Sequence, residues 1–340
     1  MIRVAIVGYG LAGSVFHGPF LAADPSFEIV AVATSNAERA ASAAAAHPGA
    51  RIVADTAAAL AESPDLVVLA SPPSVHREQA VAVLEAGVAV VIDKPFAPSV
   101  ADAEAILAAS EASGAPVLVF QNRRWDADFL TLRRLLDEGA LGEVMRFEST
   151  FERWSAPKTG RWQSAIGPEQ GGGILFDLGS HLVDQALVLF GPATVTAAET
   201  RVVHAGGASE DDAFVSLLHR GGVRSHLTMS RVARATGPRF RVLGTGAAFS
   251  VDGLDPQEIA LRHGGARVDD AGFGEVPREE WGVLTDDSGR RPVPSERGRY
   301  ASFYEGVART LQDGAPAPVD VHEALAVVAA IEQAHALAAR

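Results

Sequence analysis

Ile2-Arg3-Val4-Ala5-Ile6-Val7 runs straight into Gly8-Tyr9-Gly10-Leu11-Ala12-Gly13, and the join between the two decides the fold. The first stretch is a short, β-branched apolar run that predicts a strand over Arg3–Val7, covered on both faces. The second fits G-x-G-x-x-G in the setting where that pattern carries chemistry, after a strand and at the head of a helix. There Gly8 makes the tight turn, Gly10 lets backbone approach a pyrophosphate, and Gly13 lets helix pack on strand. The helix N-terminus then offers free N–H groups to the anion. Gly8, Gly10, Leu11, Ala12 and Gly13 are thus cofactor-binding candidates; a tight turn without ligand is the plain alternative.

Working outward, short apolar runs recur at Phe27–Ala33, Asp65–Ala70, Ala89–Asp93 and Val117–Phe120. Amphipathic helical stretches lie between them, notably Arg77–Ala86 and Val100–Ser113, each followed by a glycine where a helix ends. Such repetition predicts right-handed crossovers and a doubly wound parallel sheet, a Rossmann arrangement. After Gln121 the texture changes. A helix is expected over Asp126–Asp137, then longer strands at Glu143–Arg153, Thr194–His204, Ala213–Arg220, Val223–Ser230 and Arg239–Gly244. The turns Gly221-Gly222 and Thr245-Gly246 make this second sheet largely antiparallel. Leu261–Arg299 reads as a long irregular connection, and two helices, Tyr300–Gln312 and Val321–Ala339, close the chain. Two domains follow: 1–121 for the dinucleotide and 122–340 for substrate binding and oligomerisation.

Composition narrows the function. The 340 residues are 48% hydrophobic and 21% charged, with net charge −13. An acidic chain with no basic cluster has no general attraction to nucleic acid. No Cys is present, which excludes disulfides, Cys-ligated metals and thiol nucleophiles. No apolar run is long enough to span a bilayer, and the N-terminal run is too short for a signal segment. A cytoplasmic enzyme or binding protein is expected.

Three further stretches carry chemistry. Lys94, in Asp93-Lys94-Pro95, follows a strand of the parallel sheet, on the side where ligands of such sheets bind. Its ammonium can hydrogen-bond a substrate oxygen and stabilise charge developing there; a surface lysine at a loop start is the alternative. Pro95 is a candidate cis proline. In Gly171-Gly172-Gly173-Ile174-Leu175-Phe176-Asp177-Leu178-Gly179-Ser180-His181, Asp177 and His181 are four apart and neighbours on a helix face, with Asp184 close by. A carboxylate beside an imidazole orients a general base. A metal pair has the same spacing, but no third ligand is signposted and no metal is expected. At the tip of the second strand, Thr34-Ser35-Asn36-Ala37-Glu38-Arg39 lacks an acid in the first position, where NAD-preferring chains hold the ribose 2′-hydroxyl. Thr34, Ser35, Asn36 and Arg39 can instead bind a 2′-phosphate, so NADP is expected over NAD, with Glu38 dissenting.

In this order and spacing, Gly8–Gly13, Asp93-Lys94-Pro95 and Gly171–His181 with Asp184 resemble the Gfo/Idh/MocA oxidoreductases, over nearly the whole chain. A nearer likeness, carried by Gly10–Pro19, Asn122-Arg123-Arg124-Trp125-Asp126 and Asp177–His181, is to the family's NADP-dependent scyllo-inositol dehydrogenase branch. Many members carry Glu before the Lys-Pro, where this chain has Asp93. The resemblance implies a Rossmann domain followed by an α/β domain with an open, mostly antiparallel sheet. It also implies Lys94, Asp177 and His181 as the catalytic group. The reaction expected is hydride transfer between nicotinamide and a secondary alcohol or ketone of a polyol or sugar, inositol-like or aldose-like. His181 then handles the proton, Asp177 orients it and Lys94 holds the reacting oxygen. A redox-neutral NAD(P)-dependent glycosidase and a non-catalytic NADP-binding sensor are the other classes these motifs allow.

Hydroxyl-rich substrates need planar polar groups and an aromatic wall. Asn122, Arg123 and Arg124, after the last Rossmann strand, and Arg153, Trp154, Arg161 and Trp162, before the Asp177 helix, are the candidates. Ser71, Pro72 and His76 are expected to bind the cofactor along its path, with Lys94 reaching it too; His17 and His76, on turns there, are expected as hydrogen-bonding residues rather than catalysts. One open sheet face predicts a homodimer or homotetramer.

Overall fold

The computed structural model describes residues 1–156, 165–263 and 265–339. Arg161 and Trp162 lie outside the described residues. Within those residues the strands form two sheets, and the chain divides into two compact units. The first holds Met1–Asn122, Gln257–Phe273 and Tyr300–Leu325; the second holds Arg123–Pro256, Gly274–Arg299 and Ala326–Arg340. The division is thus interleaved, whereas the sequence suggested a single cut after residue 121.

In the first unit, β1 (Ile2–Val7), β2 (Phe27–Ala33), β3 (Arg51–Val53), β4 (Leu66–Leu69), β5 (Ala89–Asp93) and β6 (Val117–Phe120) make an all-parallel sheet. The order β3-β2-β1-β4-β5-β6 reverses direction at β1, so the loops after β1 and β4 diverge there. Leu66–Leu69 is wholly buried, as a strand covered on both faces must be. The helices of this half are α1 (Gly18–Ala23), α2 (Ala37–Ala46), α3 (Thr56–Leu60), α4 (His76–Glu85) and α5 (Val100–Ser113). Ser99 starts α5 as a reciprocal cap: its Oγ accepts from the Asp102 N–H at 3.0 Å and donates to the Asp102 carboxylate at 2.6 Å. The strand β3, three residues long, was not visible in the sequence pattern.

The second unit carries α6 (Ala127–Asp137), β7 (Val144–Glu152), α7 (Ser180–Phe190), β8 (Ala193–Arg201), β9 (Asp212–His219), β10 (Arg224–Ser230), β11 (Phe240–Gly244) and β12 (Ala248–Val251). β13 (Val283–Asp286) and β14 (Gly289–Pro292) complete its sheet in the order β14-β13-β12-β11-β7-β10-β9-β8. All pairs are antiparallel except β7 with β10. Alternate residues face the core: Phe147 and Phe151, Val215 and Leu217, Leu227 and Met229 pack with Phe176, Leu182 and Ala186 of the α7 region. The stretch Leu261–Arg299, expected to be irregular, contains the β13–β14 hairpin. The helices α8 (Pro256–His263), α9 (Ala301–Asp313) and α10 (Val321–Ala338) follow; no helix among the described residues is long and apolar enough to cross a membrane.

Candidate active site

The glycine turn is built as tightly as its sequence requires. A Cβ on Gly13 would lie 2.2 Å from the Gly8 carbonyl oxygen, so the two strands of backbone can meet only without side chains there. Gly8 itself has φ +93°. Ser14 Oγ donates to the Gly10 carbonyl at 2.7 Å, and one turn of π-helix, Ala12–His17, leads into α1. Between the glycines, Tyr9 is buried and its hydroxyl meets His47 Nε2 at 2.8 Å. Burial pushes the Tyr9 hydroxyl up in pKa and the His47 ring down. Sequence reasoning missed this pair, because His47 lies outside every motif.

At the tip of β2, Asn36 caps α2, its Oδ1 accepting from the Arg39 N–H at 3.0 Å. The Arg39 guanidinium lies over the glycine turn: a Cβ on Gly10 would be 3.7 Å from Arg39 Nη1. Ser35, Asn36, Glu38 and Arg39 are exposed, and Thr34 is half-buried. The strand tip and the glycine turn are therefore one surface, open to a ligand, with a guanidinium above it.

The loops after β4 and β5 are tied by His76. Its buried ring sets Nε2 2.9 Å from the Ser71 carbonyl oxygen and Nδ1 3.2 and 3.3 Å from those of Pro95 and Phe96. Burial pushes its pKa down, opposed by those carbonyls and by the Asp93 charge. Both ring nitrogens thus meet backbone, while Ser71 Oγ donates to Gln79 and Pro72 is exposed. Lys94, half-buried, is joined to Pro95 by a cis peptide bond. Before it, the Asp93 carboxylate stands 3.5 Å from Nε2 of His17, whose Nδ1 meets the Tyr304 hydroxyl at 2.7 Å. Burial, and then the Asp93 charge, hold that hydroxyl well above the ordinary tyrosine pKa.

In the second unit the chain does not run as one regular helix through Asp177 and His181. Leu175–Gly179 forms a turn of π-helix, and α7 begins at Ser180. Glu210 fixes where it starts: its carbonyl accepts from the Ile174 N–H at 2.9 Å and its Oε1 from the Leu175 N–H at 3.0 Å. Gly173, at φ +95°, leaves room for that carboxylate, which would be 2.2 Å from a Cβ. Asp177 accepts a hydrogen bond from the Arg231 guanidinium, and His181 is buried at 4% exposure. Arg231 was not singled out in the sequence.

The segment following β6 is held by protein contacts. Arg124 grips Asp184 of α7 with two hydrogen bonds, 2.9 and 2.6 Å. Arg123 is buried, pairs with Asp126 at 3.2 Å and lies over the Phe151 ring; its carbonyl accepts from Gln185. Arg239, 2% exposed, donates to Ser149 and to Gln185. These side chains lock α7 to the sheet. Asn122 is buried; Arg153 is half-buried, its N–H bonded to Ser230; Trp154 is exposed beneath Arg234, whose guanidinium is 3.7 Å from the ring centre.

Residues 2–121 match the model of the oxidoreductase family with NAD-binding Rossmann fold, and residues 129–250 match the GFO/IDH/MocA C-terminal domain. The chain belongs to the Gfo/Idh/MocA oxidoreductase family. Among relatives of this Gfo/Idh/MocA chain is a scyllo-inositol 2-dehydrogenase (NADP(+)) of Bacillus subtilis, 34% identical over 98% of this chain and 92% of that protein. A D-apiose dehydrogenase of Paraburkholderia graminis is 37% identical over 67% of this chain and 59% of that protein. The solved structure of yvaA from Bacillus subtilis superposes with a TM-score of 0.92 at 32% identity, covering 100% of this chain and 96% of that one. This Gfo/Idh/MocA protein is an NAD(P)-dependent oxidoreductase, and the glycine turn with its missing side chains fits the dinucleotide.

Proposed function

We propose that the protein is an NADP-dependent dehydrogenase acting on a secondary alcohol, or the corresponding ketone, of a polyol or sugar of inositol-like or aldose-like type. The observation that carries the cofactor choice is Arg39 lying over the glycine turn, at a strand tip where no carboxylate stands in the first position. A guanidinium there complements a 2′-phosphate through charge-assisted hydrogen bonds, and Asn36 and Ser35 add neutral ones. Gly8, Gly10, Leu11, Ala12 and Gly13 offer backbone to the pyrophosphate, with Thr34, Ser71 and Pro72 beside them. When bound, the dinucleotide supplies the hydride chemistry.

The chain's own part is geometry and proton handling. His181 takes the proton from the substrate hydroxyl in oxidation and gives it back in reduction. Asp177 supports the charge on that imidazole, and Lys94 hydrogen-bonds the reacting oxygen. Arg153 and Trp162 are proposed to meet the substrate, while Asn122 and Arg123 shape that region from buried positions. A panel of polyols and free sugars, run with NADP+ and NAD+ and followed at 340 nm, tests the reading. Turnover with NADP+ well above that with NAD+ is expected. Tight NADPH binding with no turnover across the panel would replace it with a sensor.

A further inference from the structure

Arg231 directly follows β10 with its backbone held on both sides: its N–H donates to the Asp211 carbonyl at 2.8 Å and its carbonyl accepts from the Ser155 N–H at 2.9 Å. Ser225, Leu227 and Met229 of β10 are buried, and the side chain of Arg231, two residues beyond Met229, is buried with them. That side chain is 6% exposed, and its guanidinium donates to Asp177. Its Nε is buried and meets no acceptor among the described residues. A guanidinium so deeply placed keeps its charge, and Asp177 is the carboxylate it meets.

The partner is not an ordinary helix residue. Asp177 lies in the π-helical turn just before α7, where the ladder of backbone bonds changes step, a feature frequent at functional sites. Arg231 reaches that carboxylate from outside the helical segment. Anchored by two backbone bonds just beyond β10, it is placed to aim the carboxylate. We propose that Arg231 is a positioning residue of the proton-transfer group, fixing the direction of Asp177 and matching its charge; this rests on the dehydrogenase reading above.

The test combines activity with an activity-free measurement. Arg231→Gln is expected to lower kcat by about 100-fold, as the loss of oriented acid–base support does, with the KM for NADP+ and the NADPH dissociation constant within about twofold of wild type. Arg231→Lys keeps the charge and should retain at least about a tenth of the wild-type kcat. Adding Asp177→Asn to Arg231→Gln should cost little further activity, since the two act as one unit. A kcat for Arg231→Gln within about threefold of wild type overturns the proposal, as does a Lys variant no better than the Gln variant. If Arg231→Gln does not fold, the Lys variant decides alone: unchanged NADPH binding with activity retained supports the proposal, and a loss matching Asp177→Asn overturns it. If wild type turns over nothing on the panel, the dehydrogenase reading fails, and thermal melting judges the pair. A double variant melting no lower than the worse single supports the coupling; additive losses remove it.

Discussion

In the proposed reading, Arg39 is the residue on which cofactor choice turns. It makes no ion pair among the described residues and lies against Gly10, so its charge is available to a ligand. Arg39→Ala should weaken NADP binding by ~1.5–3 kcal/mol, the worth of a hydrogen bond to a charged group, and leave NAD nearly untouched. Equal losses for both dinucleotides in a titration would mean that the guanidinium serves the turn and not the phosphate. His181 carries the second expectation: its replacement by Ala should lower kcat by about 10²–10⁴ while NADPH affinity holds, as removal of a general acid–base does. Near wild-type turnover in the purified variant would remove His181 from the reaction. Arg124 carries a third, about stability. Both Arg124 and Asp184 are below a tenth exposed, so removing Arg124 takes a two-bond guanidinium partner from a buried carboxylate. Arg124→Ala should cost ~3–5 kcal/mol in chemical denaturation. A loss below about 1 kcal/mol, the scale of an exposed pair, would show that water reaches the site.

Two turns carry the proposed site residues: the one that opens the first unit and the one before α7. The first depends on Gly13, whose absent Cβ lets the π-helical turn Ala12–His17 close on the Gly8 carbonyl. Gly13→Ala must push that contact apart, at a cost of ~1–3 kcal/mol in the fold, and displaces the very backbone offered to the pyrophosphate. We expect NADPH fluorescence titration to show at least about tenfold weaker binding, on the arithmetic of 1.4 kcal/mol per factor of ten. Undiminished affinity would mean that the glycine turn is not the cradle. At α7 the same logic uses a different partner. Glu210 stands in for the missing backbone acceptors at the head of the helix, and Gly173 makes space for it. A run of three glycines beside Asp177 is therefore a packing device at Gly173, whatever else it does.

At the scale of the molecule, one face of the second sheet packs on the core with α7, and the described residues of the other are in part exposed. Opposite the core lie Phe214 and Leu218 of β9 and His226 of β10, the rings of Phe214 and His226 5.9 Å apart, and Leu218 is 36% exposed. A sheet face of mixed apolar and polar residues suits burial against a second copy related by a two-fold axis. We expect sedimentation at micromolar concentration to show a dimer or tetramer, and Leu218→Asp to shift it toward 35.4 kDa particles. Wild-type protein sedimenting only at the monomer mass would leave that face solvated.

Much of the architecture needed no tertiary information. β1, the glycine turn, α5 from Val100 to Ser113 and the β9–β10 hairpin around Gly221-Gly222 follow from periodicity and turn chemistry, which act over a few residues. So does the family, because its motifs are contiguous. The short strands Arg51–Val53, Val283–Asp286 and Gly289–Pro292 have too few residues to display a period, and only pairing to a neighbour makes them strands. Side-chain partners went the same way. Arg123 and Arg124 read as polar groups for a ligand, and their contacts with Asp126, Asp184 and Phe151, like that of Arg231 with Asp177, form only in the folded structure. Arg124 and Asp184 are 60 residues apart and Arg231 and Asp177 are 54 apart, so neither pair leaves a periodic trace. Local sequence decides which segments become helix or strand, because backbone sterics and amphipathic spacing are local. Which charge meets which is settled only when the packed sheet takes buried charges out of water and leaves each with the nearest opposite group.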